Sequence, residues 1–141
     1  MLKTIRKSRG GFTLVEIMIV VAIIALLAAI AVPGFLRARK RSQATAILND
    51  ARIIDGSIDQ YAIENNMKGS NTFTSQNLHD YFKPGTRFYT LSSSGALLTD
   101  ILGNGYTYSN FDSSVKINTG TTANFTDVID NASSFWGAYM Q

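Results

Sequence analysis

Glu16 stands at the head of an apolar run, and that position is the first sign of chemistry in the chain. Residues 17–32 (IMIVVAIIALLAAIAV) are apolar without a break. A charged carboxylate in such surroundings costs on the order of 3 kcal/mol at a bilayer centre, so it is expected to have a partner and a function. Other reactive side chains are sparse. His79 is the only histidine and lacks co-ligands for a metal. There is no cysteine, which excludes a disulfide framework and a thiolate metal site. No nucleophile–base pair, phosphate loop or paired-carboxylate site is visible, so the chain is not expected to be an enzyme. Lys and Arg number 13 against 10 Asp and Glu. That balance is too mild for the basic stripe of a nucleic-acid-binding face.

Glu16 must be positioned by a helix. From Phe12 to Val32 the run is 21 residues, about 30 Å of helix, which matches the hydrocarbon thickness of a bilayer. A helix apolar on every face is not what a soluble domain of this size needs. Lys3, Arg6, Lys7 and Arg9 precede it, and Arg37, Arg39, Lys40 and Arg41 follow it. The charge count therefore does not orient it. The Ser/Thr/Gly-rich remainder reads as the exported side, which leaves the N-terminus cytoplasmic. Beyond Pro33-Gly34 the helix is expected to resume as an amphipathic one. Ile47, Ala51, Ile54, Ile58, Tyr61 and Ala62 form one stripe, and Asn49, Arg52, Asp59, Gln60 and Glu64 lie opposite. It should stop near Asn65-Asn66.

Residues 67–141 read as a small α+β unit. Thr74 or Ser75 can cap a short helix through Phe82, ended by Pro84-Gly85. Strands are expected at Arg87–Ser92, Ala96–Leu102, Tyr106–Phe111 and Val115–Asn118, with turn chemistry between them. The expected fold is a long N-terminal helix packed on a small antiparallel sheet. Its parts are a basic leader (1–11), a transmembrane helix (12–36), an amphipathic helix (37–66) and the sheet domain (67–141).

The segment Arg9-Gly10-Gly11-Phe12-Thr13-Leu14-Val15-Glu16 resembles the signal of type IV prepilins and type II secretion prepseudopilins. The resemblance implies a cut between Gly11 and Phe12 by a membrane-embedded prepilin peptidase, followed by N-methylation of Phe12. Gly11, without a side chain, suits an extended scissile segment. The resemblance also gives Glu16 its partner, the new amine of Phe12 on a neighbouring subunit. Pro33 matches as well. It removes a hydrogen bond to the Ala29 carbonyl, and with Gly34 it marks a place where the helix kinks or, in resembling filaments, melts. Many such pilins carry Gly eight residues before that Pro, where this chain has Ala25. Implied partners are further copies of the subunit, the peptidase/methyltransferase, an inner-membrane assembly platform with its ATPase, and membrane lipid before assembly. No nucleic-acid contact is expected. The implied location is the bacterial inner membrane in a single pass, then a pilus or pseudopilus.

Asp100-Ile101-Leu102-Gly103-Asn104-Gly105-Tyr106 partly resembles the D-P-W-G-N-P-Y loop of major secretion pseudopilins, whose neighbourhood can bind calcium. On that likeness Asp100, Asn104 and Asp112 are candidate calcium ligands. An Asn-Gly hairpin turn explains the same residues without a metal, and three oxygens fall short of the usual six to eight. This loop favours a secretion role, with an extended pilus for adhesion, motility or DNA uptake as the alternative. A third reading takes Ala29-Ile30-Ala31 as a secretory cleavage site and yields a soluble exported protein beginning at Val32.

Overall fold

The computed structural model describes residues 11–69, 71–108 and 110–141. The expected leader therefore lies outside the described residues except for Gly11. The chain separates into two compact units, 1–37 and 38–141.

The first unit is helical from Leu14, where α1 (Leu14–Glu64) begins. Its apolar side chains are all exposed, from Leu14 at 76% to Ile30 at 73%. Pro33 lies inside the helix, which continues through it without interruption.

The second unit contains the rest of α1. Ala44, Ile47, Leu48, Ala51, Ile54 and Ile58 are buried, and Ser57 joins them. This is the expected stripe, at helical spacing; Tyr61 and Ala62 are half-buried. The helix ends in a left-handed Asn66 (φ 51°). Met67 N–H reaches back to Ala62 O at 2.9 Å and Asn66 N–H to Ile63 O at 3.4 Å. These bonds form a Schellman stop in which Asn takes the place usually held by Gly.

The stripe is covered by short elements: a 3-10 turn (Ser75–Tyr81), α2 (Arg87–Ser93), α3 (Thr119–Ala123), α4 (Ala132–Trp136) and a final 3-10 turn (Gly137–Tyr139). Leu78, Phe82, Phe88, Leu98, Tyr106, Val115, Ile117, Phe125, Ile129 and Trp136 complete one core with α1. Side-chain bonds tie these layers to the helix. Tyr106 Oη donates to Ile47 O at 3.3 Å. Asp55 accepts from Val115 N–H at 3.1 Å and from Tyr139 Oη at 3.3 Å.

The expected antiparallel sheet is not present among the described residues. Among the described residues there is no strand, only isolated bridges: Thr99 with Gly105 and Thr107 with Lys116, both antiparallel, and Ile117 with Met140, parallel. Arg87–Ser92, expected as a strand, is helix α2. Thr86 caps it by accepting from Tyr89 N–H at 3.4 Å. Phe88 and Ser92, four apart, are the residues it buries. Ser92 Oγ also bonds back to Phe88 O, the local alternative that hydroxyl side chains offer to a ladder. The later segments do run antiparallel, but their pairing stops after single bridges. In the Asp100 loop the Asp100 side chain, rather than a neighbouring strand, takes the Leu102 and Asn104 N–H groups.

Candidate functional site

Thr13 is the residue that organises the helix start. Its backbone N–H and its Oγ1–H both donate to Glu16 Oε2, at 2.8 and 2.9 Å. Glu16 N–H returns a bond to Thr13 Oγ1 at 3.2 Å. This is a capping box, which satisfies otherwise orphaned groups at a helix start. The Glu16 side chain is thereby held against its own N-terminus. Oε1 makes no hydrogen bond among the described residues, so the carboxylate keeps one oxygen for an outside donor.

Gly11, Phe12 and Thr13 precede the helix in non-helical backbone. Phe12 is 84% exposed, and among the described residues nothing lies within 4 Å of where a Gly11 side chain would begin. The bond between them therefore lies in exposed backbone outside any regular element. Phe12 is four residues from Glu16, so an amine created there would be close to the carboxylate along the chain. Sequence reasoning named Gly11, Phe12 and Glu16 but missed Thr13. The signal was available: Thr13-Leu14-Val15-Glu16 is a T-x-x-E capping box directly before an apolar run. Pro33 and Gly34 are not part of this constellation; they lie some five turns further along the same unit.

The Asp100 loop is a second constellation, closed on itself. Asp100 is 4% exposed. Its Oδ1 accepts from Leu102 N–H at 2.8 Å and Asn104 N–H at 3.0 Å. Its Oδ2 accepts from the Thr121 hydroxyl, and Asn104 Nδ2 donates to Thr121 Oγ1 at 2.9 Å. Gly103 takes φ +87° at the turn, a conformation Gly adopts at little cost. Asp112 is exposed elsewhere, with its carboxylate against the Gly69 backbone. The oxygens of Asp100 are thus engaged by donors. Among the described residues no group of three or more His, Cys, Asp or Glu is placed to hold a metal.

His79 is a packing residue here. Its ring lies 4.1 Å from that of Tyr89, and Nδ1 is 3.1 Å from both Tyr89 O and Ser92 Oγ. Asp50 bonds Arg87 at 2.8 Å. Burial nevertheless lifts its carboxyl above the usual aspartate range, with Arg87 pulling the other way. Burial likewise raises the Tyr106 hydroxyl, helped by the charges of Asp50 and Asp100.

Residues 6–32 match the model of the prokaryotic N-terminal methylation motif. Over its N-terminal part the chain is similar to type IV pilins and type II secretion pseudopilins. Among individual relatives, it is 47% identical over 68 residues to the type IV wide pilus major component PilA4 of Thermus thermophilus, covering 46% of this chain and 50% of that one. It is 37% identical over 60 residues to the type II secretion system core protein G of Pseudomonas aeruginosa, covering 43% and 42%. It is 46% identical over 61 residues to the fimbrial protein EcpC of Eikenella corrodens, covering 43% and 38%. The match spans half or less of these relatives' lengths. No solved structure matches the chain.

Proposed function

We propose that the chain is a structural subunit of a filament assembled from a membrane. Residues 12–36 hold it there as a single-pass helix, with the N-terminus cytoplasmic and residues 38–141 outside. The observation that carries this reading is the fully exposed apolar helix of the first unit, headed by a capped carboxylate. Such a surface has to be covered by lipid or by like helices. A lone Glu at its head is tolerable when an amine of a neighbouring copy meets it. The further partners are a prepilin peptidase that cuts at Gly11–Phe12 and methylates Phe12, and an inner-membrane platform with its ATPase.

Two roles share this N-terminus. The Asp100–Tyr106 loop favours a secretion pseudopilus, in which the filament drives protein export. The likeness to a wide-pilus component favours an extended pilus. Deleting the coding sequence separates them: a pseudopilin mutant stops exporting proteins, whereas a pilin mutant loses surface fibres. In either role the Asp100 loop is read as a self-satisfied turn without calcium.

The reading is tested at the mature N-terminus by peptide mass spectrometry. Phe12 with a methylated amine is the expected first residue. Finding Val32 first would replace the filament reading with that of a soluble exported protein. Replacing Gly11 by a bulky residue should leave the leader attached and block assembly.

A further inference from the structure

An open cavity of about 400 Å³ lies in the second unit between Arg41 on α1 and residues 128–135. Its polar lining is mixed in sign. Arg41 and Asp130 both face it, and neither makes an ion pair among the described residues. Asn131 uses its Oδ1 to accept from Ser134 N–H at 3.0 Å and Ser133 Oγ at 2.8 Å. Its amide nitrogen and the Ser134 hydroxyl make no hydrogen bond to protein among the described residues. Phe135, Ile129 and Val128 supply an apolar wall. Beside the cavity, Lys40 is already neutralised by Asp127 at 2.7 Å.

A guanidinium with amide and hydroxyl donors suits a phosphodiester, which accepts such bonds strongly. The carboxylate suits a primary ammonium, and the apolar wall suits the glycerol and first methylenes of an acyl chain. Arg41 follows Leu36 by five residues, about 7.5 Å of helix. With residues 12–36 in a bilayer, a link of five residues keeps Arg41 within chain reach of the headgroup layer.

We propose that this cavity binds the headgroup of phosphatidylethanolamine, with the phosphate on Arg41, Asn131 and Ser134 and the ammonium on Asp130. The proposal rests on the membrane reading above and adds a lipid specificity to it. Phosphatidylcholine offers the same phosphate without an N–H to donate. Phosphatidylglycerol offers no cation to Asp130.

The test uses the full chain in non-ionic micelles, titrated with dioleoyl-phosphatidylethanolamine, -phosphatidylcholine or -phosphatidylglycerol and read by native mass spectrometry. The ethanolamine lipid should bind about tenfold more tightly than the choline lipid. Arg41→Gln should weaken phospholipid binding about fivefold, in line with one interfacial cation. Asp130→Asn should abolish the preference for ethanolamine while leaving binding in place. Both substituted side chains are at the surface, and circular dichroism confirms that each variant is folded. Equal affinity for ethanolamine and choline lipids in the wild type overturns the proposal. So does tightest binding of phosphatidylglycerol with no effect of Asp130→Asn, which would mean simple attraction to a cation. Loss of contact with another protein in the Arg41 variant, with lipid binding intact, overturns it as well. Carbonate extraction of the full chain from membranes reads insertion separately, so failure of the membrane reading is distinguishable from failure of the cavity.

Discussion

Residues 14–36 and residues 44–58 share one helix, α1, yet their side chains meet opposite surroundings. In the first stretch every large apolar side chain is exposed, whereas Ile47, Ala51 and Ile54 in the second are wholly buried. The difference follows from pattern rather than from content. A stretch apolar on all sides cannot be covered by one small domain, so its cover has to come from outside the chain. A stretch with one apolar stripe can be covered by its own downstream residues, and Leu78, Phe88, Leu98, Val115 and Trp136 do so. The first stretch is therefore built for association and the second for folding, and substitutions in the two should separate these properties.

The largest effect is expected at Glu16. Glu16→Gln keeps the shape and loses the charge, and Glu16→Ala makes the helix more apolar, so insertion should be unharmed. The core of the second unit begins at Ala44 and should fold as before. A neighbour's amine left without its partner in an apolar core would cost several kcal/mol. Membrane levels should be normal and filaments few or absent by electron microscopy. Filaments formed at the wild-type rate by both cleaved variants would reduce Glu16 to a helix cap.

Ile54 and Ile23 test the contrast most directly. A fragment beginning at Leu36 retains the whole buried core and should unfold cooperatively as a soluble monomer. In it, Ile54→Ala should cost about 2–5 kcal/mol in denaturant unfolding, the usual range for emptying a core site. Ile23→Ala in the full chain should leave the unfolding of the second unit unchanged. Equal sensitivity to the two would mean that the apolar run contributes to the domain core.

The same contrast explains how much of the molecule the sequence made legible. The apolar run, the buried stripe from Ile47 to Ile58 and the stop at Asn65-Asn66 were readable, because helical periodicity and end signals are local. Gly11, Phe12 and Glu16 stand out in the sequence through their motif. Thr13 is less conspicuous, although its spacing to Glu16 is a capping signal. The sheet failed for a different reason. Arg87–Ser92 has strand-like composition, but Thr86 ahead of it caps a helix start, and Phe88 and Ser92, four apart, are buried on one helical face. Short bridged segments such as Thr107 with Lys116 depend on partners far along the chain, which composition does not specify. Trp136 is 1% exposed at the centre of the core, in a tail whose spacing gave no clear element.

A smaller effect is expected in the Asp100 loop. Asp100→Asn keeps an acceptor for the two backbone N–H groups but turns an N–H₂ or a weaker oxygen toward the Thr121 hydroxyl. Stability of the soluble fragment should fall by about 1–3 kcal/mol, the range for disturbing a buried hydrogen-bonded group. Added calcium should not raise the melting temperature of the wild-type fragment. A calcium-dependent rise that Asp100→Asn removes would restore the loop as a metal site.

The smallest effect concerns Asp50, where burial and Arg87 oppose each other. Burial is the larger influence and holds the carboxyl of the folded state above its ordinary range, against the pull of Arg87. A folded carboxyl that holds its proton more tightly than the unfolded one stabilises the fold while protonated. That contribution is complete below the ordinary aspartate value, near ~3.9, and is lost as pH rises through the higher folded value. Wild type measured against Asp50→Asn should therefore lose relative stability across that interval and stay level above it. At neutral pH Asp50→Asn should be at least as stable as wild type, since it removes a half-buried charge and leaves Arg87, itself partly exposed, to water. The comparison needs denaturant unfolding at several pH values, with the difference between the two proteins cancelling the titration of other carboxylates. A loss well above 1 kcal/mol in Asp50→Asn at neutral pH would mean that the 2.8 Å contact with Arg87 outweighs burial. It would also make this bond a clasp between α1 and α2 rather than a surface pair.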